Sequence, residues 1–341
     1  MFIPPEWLEA IEAPMINQSD LPFRILTRRY GATLAFTQML VPEKILNDQD
    51  YFEFHRKGLG IADVDRPVFV QLCGNDPDII VQAGKKFQNY CDGIDLNLGC
   101  PQRVAQECHF GGYLLQQKDW PVVRTIVSSM SRSFTVPVTA KIRLCQPANK
   151  TAEFARHLEA AGVSCLTLHA RHVSAQRRRK GPADLDQVAK VKQAVHIPVI
   201  SNGNVRLHED VVRNKLATGA DGIMVGEMLL ANPCLFSGII PDPVGVSVEY
   251  LNICEDYPGT ASMESVRTHV RHIIENQCSR CVWYRKFRRQ LGLCMTVDDV
   301  MHLLCHKVQR WREFPLINDE EEDQVFPVLD DSEYFGLEDL R

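Results

Sequence analysis

The chain has 341 residues, of which 45% are apolar and 24% charged, with a formal net charge of -5 and twelve cysteines. That length buries a large core and allows one big domain plus a smaller one, while the absence of any apolar run of transmembrane length excludes a membrane span. No Lys or Arg occurs before Arg24, so no basic secretory start is expected, and the cysteines are too dilute for a disulfide framework.

Taken in chain order, short β-branched or apolar runs occur at 11–15, 33–39, 67–73, 93–99, 137–144, 165–170, 197–203 and 221–226. Helical patterns separate them. The stretch 75–90 opens on an N-capping residue, and 151–162 ends in a C-capping Gly162. Eight β/α units within the first 242 residues predict an α/β fold, a (β/α)8 TIM barrel, rather than an open doubly wound sheet. Neither a G-x-G-x-x-G after the first strand nor a Walker phosphate loop is present. Cys73, Cys91, Cys165, Cys234 and Cys305 fall inside apolar runs and are expected as small buried hydrophobes.

Beyond the barrel, a Pro/Gly-bearing stretch at 243–260 is expected to be a linker, and 261–312 a small all-α domain opened by N-caps in the range Ser262 to Ser265. From Arg267 to Arg312 the charge is +7, from Glu313 to Arg341 it is -10, and the remainder carries -2. The average therefore hides a basic module behind an acidic tail, 313–341, expected to be disordered. Within the module, Trp283, Tyr284 and Phe287 interleave with Arg285, Lys286, Arg288 and Arg289, so a helix there would bury rings on one face and present cations on another. That pattern suits a nucleic-acid surface, although a solvated basic helix has the same charge. Cys278 and Cys281 form a C-x-x-C without a second close pair, so core cysteines are expected there and no metal site. His157 with this pair loosely matches the zinc-deaminase pattern, but the separation is about 120 residues and no Pro precedes Cys278.

In such a barrel the C-terminal ends of the strands converge on one mouth. Those ends supply Met15, Gln71, Asn97 with Cys100, Lys141 with Arg143, His169 with Arg171, Asn202 with Gly203, and Gly226. Any one of them could be a satisfied turn residue, but seven strands delivering polar groups to one rim is hard to explain by turns alone. The loops holding Gly203 and Gly226 follow strands seven and eight, where barrels commonly bind phosphate. Lys141 can set a positive charge beside a ring atom that becomes anionic on reduction, and Gln71 and Asn97 can pair with an imide edge. Flavin mononucleotide, FMN, fits that description.

The segments "APMINQSDLPFRILTRRYGA", "QLCGNDP", "DGIDLNLGCPQRVA", "VPVTAKIRL", "LTLHAR", "IPVISNGNV" and "ADGIMVGEMLLANPCLF" resemble, in order and spacing, the tRNA-dihydrouridine synthases across residues 10 to 240. The stretch "DLNLGCPQ" and the "GE" of the phosphate loop are most similar to the eukaryotic class acting on the D-loop uridines at positions sixteen and seventeen. The resemblance implies an FMN-bound barrel followed by a helical tRNA-binding domain, with NADPH as reductant, flavin delivering hydride to C6 of a uracil and the cysteine protonating C5. Carried over residue by residue, Ala13, Pro14, Met15, Gln71, Asn97, Lys141, His169, Asn202, Gly203, Asn204, Gly226 and Glu227 would hold FMN and Cys100 would be the general acid. Substrate tRNA would meet Arg143 and Arg171, the run Arg177, Arg178, Arg179 and Lys180, and the module's Arg285, Lys286, Arg288 and Arg289. A monomer in the cytoplasm or nucleus is expected. Two other functions fit the residues: a barrel flavin oxidoreductase of a small molecule, and a catalytically weak tRNA-binding protein. The sequence departs from the family pattern at Ala170 and His172, where Gly and Thr are usual, and at Gly112, where Ala is common.

Overall fold

The structure, a computed structural model, describes residues 1–59, 64–173 and 181–314. Eight strands, β1 (Ala10–Glu12), β2 (Ala35–Leu40), β3 (Val68–Leu72), β4 (Gly93–Leu98), β5 (Val138–Leu144), β6 (Cys165–His172), β7 (Val199–Asn202) and β8 (Gly222–Val225), run parallel in the order β1-β8-β7-β6-β5-β4-β3-β2. A bridge between Ile11 and Leu34, with the Glu12 N–H donating to the Leu34 carbonyl at 2.9 Å, closes the ring between β1 and β2. This is the expected (β/α)8 barrel, with every predicted strand in place.

Alternation along each strand explains which side chains fill the barrel and which face the helices. On β4, Ile94, Leu96 and Leu98 join the apolar layer beneath the outer helices, while Asp95 and Asn97 point inward. Ile11, Phe36, Phe69, Cys165, Ile200 and Met224 pack together as the barrel's own plug. The helices begin where the sequence gives the backbone a cap: Asp76 accepts from the N–H groups of Asp78 and Ile79 ahead of Pro77–Phe87, and Thr151–Ala161 stops at Gly162, whose φ of 110° favours glycine.

The segment 243–260 is not a linker. Pro243–Asp256 is an α-helix: Asp242 caps it by accepting from the Gly245 N–H, and Pro243 sits in the first turn, where a proline starts a helix rather than breaking one. Its Val244, Tyr250, Leu251 and Ile253 share one core with Leu21, Phe23 and Leu26 of the barrel helix Leu21–Arg29 and with Val266, Val270 and Ile273 of the helix Met263–Cys278. Full burial of a ring such as Phe287 in the same core stabilises by about 1.5–3 kcal/mol. Ser262 caps Met263–Cys278 by accepting from Ser265 N–H.

Two of the cysteines depart from expectation. Cys281 lies exposed past the end of Met263–Cys278, whereas Cys278 is buried. Cys305 is also exposed, because the π-helical turn Leu303–Val308 advances the chain differently from an α-helix and rotates it off the apolar face that buries Leu303, Leu304 and Val308. Among the described residues no helix is long and apolar enough to cross a membrane. The tail from 315 onward lies outside the described residues.

Candidate active site

A cavity of about 460 Å³ opens at the C-terminal ends of β1, β5, β6, β7 and β8. Ala13, Pro14, Met15, Lys141, His169, Arg171, Asn202, Gly203, Asn204, Gly226 and Glu227, all of them expected at the mouth, line it together. Gly203 has a φ of 123° and a Cβ there would stand 2.8 Å from Ala183 Cβ; one on Gly226 would lie 3.2 Å from Ala13 Cβ. Both glycines line the cavity, and neither position leaves ordinary room for a side chain. Asn204 is fixed by two bonds to Ala183, its Oδ1 accepting from the N–H at 2.7 Å and its Nδ2 donating to the carbonyl at 2.8 Å. Asn202 Nδ2 donates to the Met224 carbonyl at 2.8 Å, tying β7 to β8.

Cations crowd one side. Burial, with Arg143 beside it, brings Lys141 down to about 8, and burial with Arg171 beside it brings Arg143 down to about 10. Burial first, then Lys141, Arg143 and Arg171, hold His169 well below the usual imidazole range, so it is neutral. Arg171 Nη1 lies 2.9 Å from His169 Nε2, which makes Nε2 the acceptor and Nδ1 the protonated nitrogen. Arg143 Nη1 donates to the His172 carbonyl at 3.0 Å.

Gln71, Asn97 and Cys100 do not line this cavity. Gln71 Nε2 donates to Asp95 Oδ2 at 2.8 Å and its Oε1 accepts from Asn97 Nδ2 at 2.8 Å, while Asn97 Oδ1 accepts from the N–H groups of Gly99 at 3.0 Å and Cys100 at 2.9 Å. The two amides thus run from the barrel interior to the cysteine turn. Cys100 is 7% exposed, packs with Met39, Cys73, Val104, Ala105 and Phe110, and points its thiol toward Gln102 Oε1 at 3.9 Å. Burial pushes that thiol up, against the Gln102 N–H and the charges of Arg143 and Lys141.

Two of the departures from the family pattern, Ala170 and Gly112, have local explanations; nothing in the structure explains His172. Ala170 has no positive φ and is buried in the outer apolar layer, so glycine is not required there. At Gly112 a Cβ would approach Val173 Cγ2 to 2.8 Å and the Cys100 carbonyl to 3.1 Å, and that carbonyl accepts from the Gly112 N–H at 3.0 Å. Glycine lets the cysteine loop close against the end of β6.

Two residues escaped the sequence analysis. Asp95, fully buried and pushed up to about 6 by burial, anchors the amide chain and also accepts from Thr139 Oγ1 at 2.6 Å; its signal was a lone acid at an inward position of an apolar strand. Arg206, two residues past Asn204, brings a further cation to the cavity lining. Arg177, Arg178, Arg179 and Lys180 lie outside the described residues. On the helix Tyr284–Leu293, Tyr284 and Phe287 are buried, as is Trp283 just before it; Arg285 and Arg289 are exposed, and Lys286 Nζ sits 5.1 Å from the Trp311 ring centre.

The family description "Dihydrouridine synthase (Dus)" matches residues 11–321. A Mus musculus protein named tRNA-dihydrouridine(16/17) synthase (NAD(P)(+))-like is 40% identical over 293 residues, which are 85% of this chain and 59% of that protein. A Saccharomyces cerevisiae protein named tRNA-dihydrouridine(16/17) synthase (NAD(P)(+)) is 34% identical over 275 residues, covering 77% of this chain and 64% of its own length. The chain thus spans about three fifths of these relatives. In fold alone, morphinone reductase is similar, with a TM-score of 0.51 at 14% identity over 69% of this chain and 87% of that one. By the extent of the family match and the identity to these relatives, the chain belongs to the dihydrouridine synthase family.

Proposed function

We propose that the chain is an FMN-dependent tRNA-dihydrouridine synthase that uses NADPH to reduce the C5–C6 double bond of D-loop uridines, at positions sixteen and seventeen. The observation that carries this reading is the single cavity shared by the residues of five strand ends, whose Lys141 acts on the Cys100 thiol, while the Asp95–Gln71–Asn97 chain fixes the Cys100 turn. Its volume suits a cofactor, and its make-up suits FMN: bare backbone at Gly203 and Gly226 for a phosphate, and Lys141 for the ring. The names of the two relatives agree with this substrate.

Bound FMN would supply hydride to uracil C6. Cys100 donates the proton to C5, which completes the reduction, and regains one from solvent. For that task the thiol has to keep its proton at neutral pH, which is the direction in which burial moves it. Neutral His169 donates from Nδ1 while Arg171 holds its other nitrogen. Lys141, charged at neutral pH, stabilises negative charge that develops on the ring. Arg143 and Arg171 extend the cationic rim toward incoming RNA. The helix carrying Arg285, Lys286, Arg288 and Arg289 docks tRNA phosphates, and the run from Arg177 to Lys180 contacts RNA nearer the target base. The enzyme acts as a monomer where tRNA is matured, in the cytoplasm or nucleus.

The test begins with release of the bound flavin and its identification by mass, then compares NADPH with NADH as reductant. Mapping dihydrouridine in tRNA from cells lacking the protein should show loss at the two D-loop positions. A purified protein without flavin, or tRNA with unchanged dihydrouridine, overturns the reading. Turnover of a small molecule without tRNA would favour the other flavin oxidoreductase.

A further inference from the structure

A second cavity, of about 510 Å³, lies between the loop after β1, the end of β2, the helix Gln49–Lys57 and the start of the helix Met263–Cys278. Its wall includes Ile16 and Met39, and these same two side chains pack against the cluster that contains Cys100. The cavity therefore borders the packed cluster that contains the cysteine. Tyr51, Phe54 and His55, at i, i+3 and i+4 of Gln49–Lys57, share the face that meets the cavity, while Phe52 turns into the core. The His55 ring is T-shaped to Tyr51 at 4.4 Å and to Phe54 at 5.1 Å between ring centres, and Phe54 remains 40% exposed.

The polar groups are of amide and imidazole type. Gln38 Nε2 lies 3.3 Å from His55 Nε2, and Gln38 Oε1 accepts the backbone N–H of Asn17. Burial, then the charge of Arg24, takes His55 down to about 4, so the ring is neutral; the Gln38 amide nitrogen can only donate, which makes His55 Nε2 its acceptor and leaves the proton on Nδ1. The cation in the lining, Arg24, is consumed by Asp65 and by the carbonyls of Ser19 and Gly58, whereas Asp20, Asp48, Asp50 and Glu264 bring carboxylates. Such a lining repels phosphate, which argues against the phosphate-rich reductant. It accepts a neutral ring with hydrogen-bonding edges, the way single-stranded RNA bases are read.

We propose that this cavity is a nucleobase subsite: it takes the base of the nucleotide adjacent in the RNA to the uridine held at Cys100, with Phe54 and Tyr51 supplying ring faces and Gln38 and His55 the polar edge. The subsite rests on the tRNA reading above and deepens it, since two neighbouring bases held at once would fix which uridine reaches the cysteine. Its position between barrel and C-terminal helices puts it on the path of an RNA that touches both.

The experiment uses the full, flavin-loaded chain and tRNA transcripts carrying an abasic ribose immediately 5′ or 3′ of the target uridine, with wild type and Phe54→Ala. Phe54 is exposed, so its truncation leaves the core untouched, and the variant's flavin content verifies this. One of the two abasic transcripts should lower the wild-type kcat/KM by roughly 10- to 100-fold, the scale of one base–aromatic stack. Phe54→Ala should lose a similar factor on intact tRNA and nothing further on that abasic transcript. If both abasic transcripts are modified normally, or if the two losses multiply, the subsite is wrong while the enzyme assignment stands. If flavin-loaded wild type fails to modify intact tRNA, both fall.

Discussion

The side chain of Asn97 holds the backbone of Cys100, its Oδ1 accepting the cysteine N–H at 2.9 Å. Because Asn97 is itself fixed through Gln71 to the buried Asp95, the position of the thiol is set from inside the barrel. Asn97→Ala should retain flavin but slow single-turnover reduction of bound tRNA by about 10²-fold, the cost of a misplacement near 1 Å. An unchanged single-turnover rate would show that the turn holds the cysteine without this bond.

Cys100→Ser should still bind flavin and be reduced by NADPH, yet turn over tRNA about 10²-fold more slowly or worse, the usual loss for a missing general acid. Stopped-flow reduction and dihydrouridine formation, measured on the same preparation, separate the two half-reactions. Normal modification by the variant removes Cys100 from the chemistry.

For Lys141, whose ammonium faces the cavity, Lys141→Ala should weaken flavin retention or slow flavin reduction, whereas Lys118→Ala, exposed on the outer turn Gln117–Asp119, should do neither. As the wild-type lysine is brought down to about 8, flavin reduction should also decline as pH rises past that value. The decline should be missing in Lys141→Ala.

Glu12 is fully buried, with Thr27 Oγ1 donating to its Oε2 at 2.6 Å and no partner for Oε1 among the described residues, and burial pushes it up to about 8 from 4.5. A carboxyl raised on folding binds more protons in the folded chain than in the unfolded one between those two values. Its contribution is therefore fully present below about 4.5 and is lost as pH rises through about 8. Glu12→Gln should flatten this part of the stability profile, by on the order of 1 kcal/mol per pH unit, in denaturant titrations across that window. Parallel profiles for variant and wild type would mean that Glu12 ionises normally.

Neutralising Arg285, Lys286, Arg288 and Arg289 together should weaken tRNA binding and flatten its salt dependence, each lost phosphate contact taking about 0.7 to 0.9 from the slope. Neutralising Arg177 to Lys180 should in addition lower the rate at saturating tRNA. Titrations at several salt concentrations, with single-turnover rates at saturation, separate the two. Wild-type binding with an unchanged slope in the first variant would relieve that helix of its docking role.

The barrel was legible because each strand is a short apolar run and most carry a polar residue near the end: Lys141 and His169 announce themselves by interrupting "VTAKIRL" and "CLTLHA". Asp95 interrupts its strand in the same way but was passed over for Asn97 two positions later. Pro243 and Gly245 read as breakers because a first-turn proline and a linker proline look alike until the buried face of Val244, Tyr250 and Leu251 is seen to have a partner. The second cavity was not legible at all. It needs the loop after β1, the end of β2 and residues near 260 side by side, and only the closed fold supplies that arrangement.

Asp20, five residues after Met15, caps the helix Leu21–Arg29 through the Phe23 N–H, accepts from Tyr250 Oη at 3.3 Å, and meets Nε2 of the fully buried His269 at 2.8 Å. The loop that lines the cofactor cavity is thereby pinned to two helices of the C-terminal half. Cutting the chain at 242 would strip Asp20 of both partners and expose Leu21 and Phe23 to water. The two halves are consequently not modules to be exchanged or expressed apart, and the colour of any flavin held in the cavity would gauge whether the C-terminal half is seated.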